Sequence, residues 1–465
     1  MSTPVSLTTS LIATDPTTGT VIREVPAATP AQIEETLARA ASAFGTWRRT
    51  SFDERAELLG AVAAELRRRR EDFALLMTEE MGKPIGEARG EVDKAAWAAD
   101  HYAQFGAEYL ATEPVDSDAT RSYVQYLPLG PVLGVLPWNA PFWLAFRFCA
   151  PAIMAGNTAI MKPDPHVPGC GAAIASAFAA AGAPDGVFQT LEAATADVES
   201  VIRDPRITAV SFTGSDRAGA AVAAVAASEI KPAVLVLGGS DPCLVLADAD
   251  LAAAAEVIAL SRIINAGQSC IAAKRIIVEA SVHDEFVGLL RARLAALKMG
   301  DPRDETVQVG PIARADLRDN LHRQVTETVA AGATCVLGGE LPAGPGFFYP
   351  VTLLTGVQPG MTACTEETFG PVAAVLSAAD AAEALAIAND TRYGLAASVW
   401  TATDRGEAMA RELEAGQVSV NGIVKTDPRL PSGGVKRSGY GRELGRHGIH
   451  EFVNAQQVWV GPKQD

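Results

Sequence analysis

Residues 207–237 read ITAVSFTGSDRAGAAVAAVAASEIKPAVLVL, in which two apolar runs enclose an alanine-rich stretch. Uninterrupted apolar runs that alternate with helical stretches are typical of a parallel sheet whose two faces are both buried. The same alternation extends over residues 132–240, and it begins again after residue 241 and continues to about residue 420. The sequence therefore predicts an α/β protein with two doubly wound parallel-sheet lobes in series.

The chain before these lobes is predicted to be mainly helical. Thr29 is the expected N-cap of a first helix and Pro30 its first residue. A second helix follows the stretch SFDE at residues 51–54, and the helical pattern runs to residue 110 with a break at residues 82–84. Residues 121–135 are rich in β-branched and aromatic residues and are predicted to be strands, cut between residues 128 and 130.

Length and charge limit the class of protein. A chain of 465 residues exceeds what one hydrophobic core normally serves, so at least two domains are expected. Lys and Arg number 39 against 55 for Asp and Glu, which gives a net charge of −16. Such a charge repels nucleic acid and anionic membranes, and neither is an expected partner. The sequence has no recognisable signal peptide and no apolar run of membrane-spanning length.

Cysteine and histidine usage predicts a reducing compartment and no metal. The six cysteines lie far apart without CxxC spacing, which indicates reduced thiols and a cytoplasmic location. The six histidines form no ligand-like cluster, so we expect no metal site.

The stretch NAGQSC at residues 265–270 has the composition of a nucleophilic turn. A catalytic thiol must be reachable, and its thiolate needs nearby donors or a positive dipole. Gly267 allows close backbone approach, while Asn265 and Gln268 offer polar contacts. The alternative is that Cys270 is a buried structural cysteine.

Two further stretches have features of nucleotide binding. Gly214, Ser215 and Gly219 follow a strand and open a helix, whose free N–H groups can hold a pyrophosphate. Asp216 in that first turn suits the helix dipole but would repel a nearby phosphate. Lys162 ends another predicted strand, at the edge where α/β sheets bind nucleotides.

These motifs, together with LPWN at 136–139, EETFGP at 366–371 and the glycine-rich run at 433–445, resemble the aldehyde dehydrogenase superfamily in identity and order. The resemblance covers nearly the whole chain. It implies the aldehyde dehydrogenase fold, Cys270 as nucleophile, and an oxyanion hole formed by the Asn139 amide with the Cys270 backbone N–H.

The resemblance also implies NAD or NADP as cofactor. It places Lys162 at the adenosine ribose, Glu367 at the nicotinamide ribose and Phe369 beside the nicotinamide. The other implied cofactor contacts are Trp138, Pro165, Gly214, Ser215, Gly219 and Leu237. Relatives that prefer NAD often carry Glu where this chain has Pro165, and losing that carboxylate removes repulsion toward the 2′-phosphate of NADP.

The resemblance further implies a domain plan. Residues 1–115 and 133–240 are expected to form a nucleotide-binding domain, residues 241–428 a catalytic domain, and residues 116–132 and 440–465 an oligomerisation element. In that element a projecting β-hairpin pairs with a late strand, for which residues 455–461 are the candidate. A homodimer or homotetramer is expected.

One residue departs from the family pattern. Val236 stands 34 residues before Cys270, where the family usually has the Glu that activates the water for thioester hydrolysis. Valine cannot accept a proton. Three explanations remain open: another carboxylate, with Glu443 as first candidate, replaces it; coenzyme A releases the acyl group; or the protein is a slow or non-catalytic relative.

Arg147 is the candidate residue for recognising the substrate. It follows Asn139 by eight residues, where similar succinate semialdehyde dehydrogenases of bacteria also carry an arginine. A guanidinium facing the substrate would hold a distal carboxylate, which favours a semialdehyde substrate. The alternative is a surface or interdomain salt bridge. Ala140 and Ser432 stand where the family usually has Phe, and Ile264 lacks a second arginine found in some semialdehyde enzymes.

Overall fold

The computed structural model describes residues 10–462. Its α-helices are α1 Pro30–Trp47, α2 Phe52–Arg68, α3 Arg70–Met81, α4 Ile85–Tyr109, α5 Pro141–Met154, α6 Pro168–Ala180, α7 Val198–Arg203, α8 Asp216–Ser228, α9 Leu251–Ile263, α10 His283–Ala295, α11 Ala315–Ala330, α12 Thr362–Thr365, α13 Ala381–Asn389, α14 Thr403–Ala410 and α15 Gly445–His450. Its strands are β1 Ser10–Asp15, β2 Thr20–Pro26, β3 Glu113–Pro114, β4 Ala119–Pro128, β5 Pro131–Val135, β6 Thr158–Lys162, β7 Phe188–Thr190, β8 Ala209–Gly214, β9 Ala233–Leu237, β10 Pro242–Val245, β11 Arg275–Glu279, β12 Thr334–Leu337, β13 Thr352–Thr355, β14 Val372–Ala378, β15 Ala396–Trp400, β16 Gln417–Val420, β17 Gly439–Tyr440 and β18 Val453–Pro462.

The first helices begin where the sequence predicts. Thr29 caps α1 and Ser51 caps α2, each in a reciprocal capping box with the residue three positions later. The predicted break falls between α3 and α4. Gly82 ends α3 with a left-handed φ of 78°, which a residue with a side chain rarely adopts.

The first large sheet has the strand order β17-β9-β8-β5-β6-β7. Strands β5 to β9 run parallel, and β17 joins the edge antiparallel. From β5 the chain moves outward through β6 and β7, then returns to place β8 and β9 on the other side of β5. The order therefore reverses between β5 and β8, which is where open α/β sheets bind ligands.

The two faces of this sheet are buried in different layers. Leu133, Ile160 and Val210 are register partners and pack on one face in a common apolar cluster. Val132 and Ala159 face the opposite layer, where they join the cluster that contains the apolar residues of α5. Burial on both faces explains why these strands read as uninterrupted apolar runs.

The second large sheet has the order β12-β13-β14-β11-β10-β15-β16, with β12 antiparallel and the other strands parallel. Residues 238–241 connect the end of β9 to the start of β10. This short link holds the carboxyl edge of the first sheet against the amino edge of the second.

The predicted fold class of two doubly wound lobes is confirmed, with one antiparallel edge strand in each sheet. Those edge strands were not foreseen because β17 has two residues and β12 follows a long helix without an alternating pattern. The division into three domains remains a prediction.

A third sheet, in the order β18-β4-β3, supplies the predicted hairpin element. Strand β18 pairs antiparallel with β4 along its length, with Ala455 opposite Tyr126 and Val460 opposite Arg121. The cut that Pro128 and Gly130 predict separates β4 from β5, which belong to different sheets. Within residues 10–462, every helix is too short or too polar to span a bilayer.

Candidate active site

The residues predicted to bind a nucleotide meet at the carboxyl edge of the first sheet. Trp138 and Asn139 follow β5, Lys162 ends β6, Gly214 ends β8 and Leu237 ends β9. Because these strands are parallel, their carboxyl ends share one edge. The edge includes the point between β5 and β8 where the strand order reverses.

The turn from β8 into α8 has the geometry of a phosphate site. Ser215 caps α8, and its side chain accepts a hydrogen bond from Ala218 N at 3.3 Å. A Cβ on Gly219 would lie 2.4 Å from Leu237 Cδ2, so glycine allows the helix to approach β9 closely. Asp216, expected to repel phosphate, is paired with Arg437 Nε at 2.9 Å, which offsets its charge.

Lys162 is the last residue of β6, and Pro165 follows it by three residues. Burial lowers the pKa of Lys162, and the nearby Asp164 opposes that change. Asp164 Oδ1 lies 2.7 Å from His166 Nδ1. Burial alone would raise the pKa of Asp164, but its hydrogen bonds with His166 lower it overall. Its carboxylate is therefore engaged by a neighbour.

The catalytic turn has an unusual backbone. Asn265, Ala266 and Gly267 are left-handed in succession, with φ values of 55°, 53° and 76°. A Cβ on Gly267 would lie 2.3 Å from Gly370 O, so this position requires glycine. Left-handed non-glycine residues persist where surrounding contacts hold them, commonly at functional sites.

Gln268 and Asn139 hold this turn. Gln268 donates through Nε2 to Asn265 O at 3.0 Å and accepts from Ala313 N at 2.9 Å. Asn139 donates through Nδ2 to Gln268 O at 3.1 Å. Asn265 Nδ2 in turn donates to Asn139 O at 2.9 Å. The Asn139 amide thus lies against the turn that carries Cys270, as an oxyanion-hole donor must.

The Cys270 thiol is partly buried. Burial raises its pKa, while the positive charges of Lys274 and Arg147 act in the opposite direction. Glu367 and Asp241 add to the upward shift. Burial raises the pKa of Asp241 itself to about 7. Burial and the two carboxylates therefore disfavour the Cys270 thiolate. The positive charges of Lys274 and Arg147 are what stabilise it.

Glu367 and Phe369 lie just before β14, at the amino edge of the second sheet. Glu367 Oε1 accepts from Gly239 N at 3.2 Å and pairs with Lys274 Nζ at 3.0 Å. The Phe369 ring meets Trp138 edge-to-face, with centroids 5.9 Å apart. The structure thus brings residues from both sheets to one cleft.

Arg147 is buried in α5 and forms an ion pair with Glu443. Its Nη2 also donates to Ser432 Oγ at 3.2 Å, while Nε has no hydrogen-bond partner among residues 10–462. A salt bridge is therefore present, as the alternative interpretation expected. The positive charge of Arg147 also acts on Cys270, where it opposes the upward shift of the thiol pKa.

Val236 lies in β9 with 2% of its surface exposed. Its register partner in β8 is Thr213, so the two side chains share a face. Ser211 shares that face and donates to Glu443 Oε1 at 3.5 Å. Two residues along a strand span roughly 6.6 Å. Glu443 therefore contacts the face of the sheet that Val236 shares, and its charge is paired with Arg147.

The family model described as "Aldehyde dehydrogenase family" matches residues 5–458. The chain belongs to the aldehyde dehydrogenase family.

Several members of the aldehyde dehydrogenase family are similar over nearly their full length. Succinate semialdehyde dehydrogenase [NAD(P)+] Sad of Escherichia coli (strain K12) is 48% identical over 453 residues, which cover 97% of this chain and 98% of that protein. Succinate-semialdehyde dehydrogenase [NADP(+)] 1 of Mycobacterium ulcerans (strain Agy99) is 46% identical, with 96% and 99% covered. The crystal structure of succinic semialdehyde dehydrogenase from Streptococcus pyogenes in complex with NADP+ superposes with a TM-score of 0.95 at 34% identity, with 97% and 100% covered.

Within this aldehyde dehydrogenase, three charged residues at the start of α4 were not singled out by the sequence. Glu87 accepts from Asn265 N at 2.7 Å, and burial raises its pKa to about 7. Lys83 pairs with Glu91 and donates to Asn139 O at 2.9 Å. The four-residue spacing of Glu87 and Glu91 was the available signal, since it places both on one helix face.

Two lysines were also missed. Lys274 Nζ donates to Cys270 O at 2.5 Å and was visible as a lysine directly before β11. Lys94 Nζ donates to Thr426 Oγ1 at 2.9 Å and lies 4.3 Å from the Trp143 ring centroid. Burial, together with the charge of Arg147, lowers the pKa of Lys94 to about 8. Among residues 10–462, His, Cys, Asp and Glu side chains form no group of three suited to a metal.

Proposed function

We propose that this aldehyde dehydrogenase oxidises succinate semialdehyde, or a related carboxylate-bearing semialdehyde, to the acid with NAD(P)+ through a Cys270 thioester. One observation carries the proposal. The Asn139 amide contacts the turn that carries Cys270, and the positive charge of the buried Arg147 guanidinium lies close enough to act on the Cys270 thiol. The full-length similarity to proteins named for succinate semialdehyde supports the same substrate.

Arg147 fits a distal carboxylate, although Glu443 already pairs with it. Its Nε is buried without a hydrogen-bond acceptor in the part of the chain that is described. Lys94 is a second cation nearby, since the positive charge of Arg147 contributes, after burial, to lowering the pKa of Lys94. The carboxylates of Glu91 and Asp427 act on Lys94, so the Arg147 guanidinium with its unpartnered Nε is the group that would meet a substrate anion. A bidentate contact to the guanidinium would supply direction as well as charge.

The residues of the nucleotide edge fit NAD(P). The first turn of α8, opened by Ser215, would hold the pyrophosphate, Lys162 the adenosine ribose, and Glu367 the nicotinamide ribose. The Gly219–Leu237 contact supports this fit, because a side chain there would push the helix away from β9. When bound, NAD(P)+ accepts the aldehyde hydrogen as hydride.

The chain's own residues account for the remaining chemistry. Cys270 Sγ forms a bond to the aldehyde carbon, and the carbonyl oxygen takes the negative charge. Asn139 Nδ2 and the Cys270 N–H donate to that oxygen. Loss of the hydride turns the adduct into a thioester, and attack by water releases the acid and returns the thiol.

We also propose that Val236 stands at the usual position of the deacylating base. Its aliphatic side chain cannot take a proton from water, so thioester hydrolysis lacks the usual general base. Glu443, which accepts a hydrogen bond from Ser211 on that face of the sheet, is the first candidate to act in its place. Coenzyme A attack on the thioester is the alternative route.

The experiment that tests this function follows NAD(P)H formation over a panel of aldehydes, with and without coenzyme A. Succinate semialdehyde is expected to be oxidised with a higher kcat/KM than uncharged aldehydes of similar length. Faster turnover in the presence of coenzyme A, with an acyl-CoA as product, would favour the CoA-acylating reaction. Absence of NAD(P)H with every aldehyde and both cofactors would contradict the proposal.

Replacing Arg147 with glutamine tests the carboxylate contact. We expect KM for succinate semialdehyde to rise roughly 10- to 150-fold relative to butanal, because a hydrogen bond to a charged group contributes roughly 1.5–3 kcal/mol. The two substrates are compared in the same variant, so any structural loss from leaving Glu443 unpaired cancels. Arg405→Gln, at an exposed arginine paired with Asp248, is the control. Equal changes for both aldehydes would exclude the contact.

Replacing Pro165 with glutamate tests the cofactor choice. We expect KM for NADP+ to rise roughly 5- to 30-fold while KM for NAD+ changes little, since a carboxylate near the 2′-phosphate costs about 1–2 kcal/mol at partial exposure. Pro165→Gln separates the charge from the loss of the proline ring. A parallel rise for both cofactors would show that residue 165 does not face the 2′-position.

The assembly and location are further proposals. The β4–β18 pair leaves Trp459 and Val460 exposed by 45% and 40%, which supports a role for this element in a homodimer or homotetramer. All six cysteines are unbridged, as expected of a protein kept in the cytoplasm.

A further inference from the structure

Lys274 is a fully buried lysine between the catalytic turn and Glu367. Its side chain is 0% exposed, and Nζ lies 2.5 Å from Cys270 O and 3.0 Å from Glu367 Oε1. Lysine is almost never fully buried unless it is paired, because removing its charge from water is costly. Among residues 10–462, its polar partners are one carboxylate and one backbone carbonyl, and the carbonyl belongs to the nucleophile.

Four charged groups act on the Cys270 thiol, and Lys274 is the stronger of the two cations. Both cations are paired with a carboxylate, Lys274 with Glu367 and Arg147 with Glu443, so part of each field is cancelled. Glu367 and Asp241 act against the thiolate. Val236, in the position of the missing base, can neither accept the thiol proton nor supply charge.

We propose that Lys274 is the residue whose charge stabilises the thiolate of Cys270, and that Glu367 weakens this effect. The thiol proton leaves to solvent water, and Lys274 retains its own protons throughout. Lys274 is thus a positioning residue that acts on Cys270 electrostatically and through its backbone carbonyl. The inference rests on the proposed role of Cys270 as nucleophile.

The test measures alkylation of Cys270 by iodoacetamide as a function of pH, in the full-length protein without cofactor or aldehyde. Peptide mass spectrometry assigns the reaction to Cys270 and not to the partly buried Cys335. The midpoint in wild type is expected above the ordinary thiol value of roughly 8.5, because burial raises this pKa. Lys274→Met should raise the midpoint by about one to two pH units, and slow alkylation roughly 10- to 100-fold at a pH below both midpoints.

Two further variants distinguish electrostatics from structure. Glu367→Gln removes the opposing charge and should lower the midpoint, whereas a general loosening of the site would move both variants in the same direction. Lys274→Arg keeps the charge and should stay within about half a pH unit of wild type. Lys298→Met, at an exposed lysine paired with Asp304, should not change the midpoint.

An unchanged midpoint in folded Lys274→Met, or shifts of the same sign in Lys274→Met and Glu367→Gln, would overturn the inference. If Lys274→Met does not fold, an unchanged or raised midpoint in Glu367→Gln overturns it equally. Because no aldehyde is used, the result is independent of substrate identity. Lack of aldehyde oxidation would remove the proposed function, whereas an unmoved thiol midpoint would remove the role of Lys274 alone.

Discussion

Cys270→Ala is expected to abolish formation of NAD(P)H from succinate semialdehyde, with a loss on the order of 10⁴–10⁶-fold in kcat, as when other enzymes lose their nucleophile. Alanine cannot form the bond to the aldehyde carbon, so no adduct can release hydride. The stopped-flow absorbance of NAD(P)H provides the measurement.

Nucleotide affinity and folding should survive this change. The predicted cofactor contacts come from the first sheet, Glu367 and Phe369, and the turn at residues 265–268 is held by its own side chains. Cys335→Ala, at the other partly buried thiol, is the matched control and should retain activity. Aldehyde oxidation that continues in Cys270→Ala would remove Cys270 from the mechanism.

Val236→Glu is expected to accelerate thioester hydrolysis by roughly 10²–10⁴-fold, the usual contribution of a general base. In wild type, the first turnover should give a burst of NAD(P)H close to one per active site, followed by a slow phase limited by deacylation. The variant should speed the slow phase and leave the burst amplitude unchanged. Rapid-mixing absorbance with succinate semialdehyde in excess resolves both phases.

The surroundings of Val236 decide how well a carboxylate is accommodated. The site is buried, and burial would raise the pKa of a new glutamate. The neighbouring Thr213 Oγ1 has no hydrogen-bond partner among residues 10–462, so it is free to donate to that carboxylate. A moderately raised pKa also suits a base that works near neutral pH.

Val236→Gln is the control, because it adds a polar side chain of similar size that cannot act as a base. If coenzyme A accelerates the slow phase and acyl-CoA is the product, the thiol of coenzyme A releases the acyl group from Cys270. If wild type shows no burst, and neither Val236→Glu nor coenzyme A changes turnover, deacylation is not limiting. In that case the proposal for residue 236 is wrong.

Much of this protein was determined by local sequence patterns. The apolar runs around the alanine-rich stretch predicted the parallel sheets because strands buried on both faces must be apolar throughout. Thr29 and Ser51 marked helix starts because their hydroxyls cap backbone N–H groups within the same turn. Gly267 indicated a position without room for a side chain. Each of these features depends on residues close together in the chain, so it can be predicted from the sequence.

The charge arrangement of the site was decided by the tertiary structure alone. Arg147 and Glu443 form their ion pair although they lie far apart in the sequence, and Lys274 meets Glu367 only because β11 and β14 are neighbours. Distances of a few ångströms decide whether Arg147 is free or paired. They also decide whether a positive or a negative charge acts most strongly on Cys270, because charges in the interior are poorly screened. No periodicity or motif encodes those distances, because they arise when two sheets meet edge to edge.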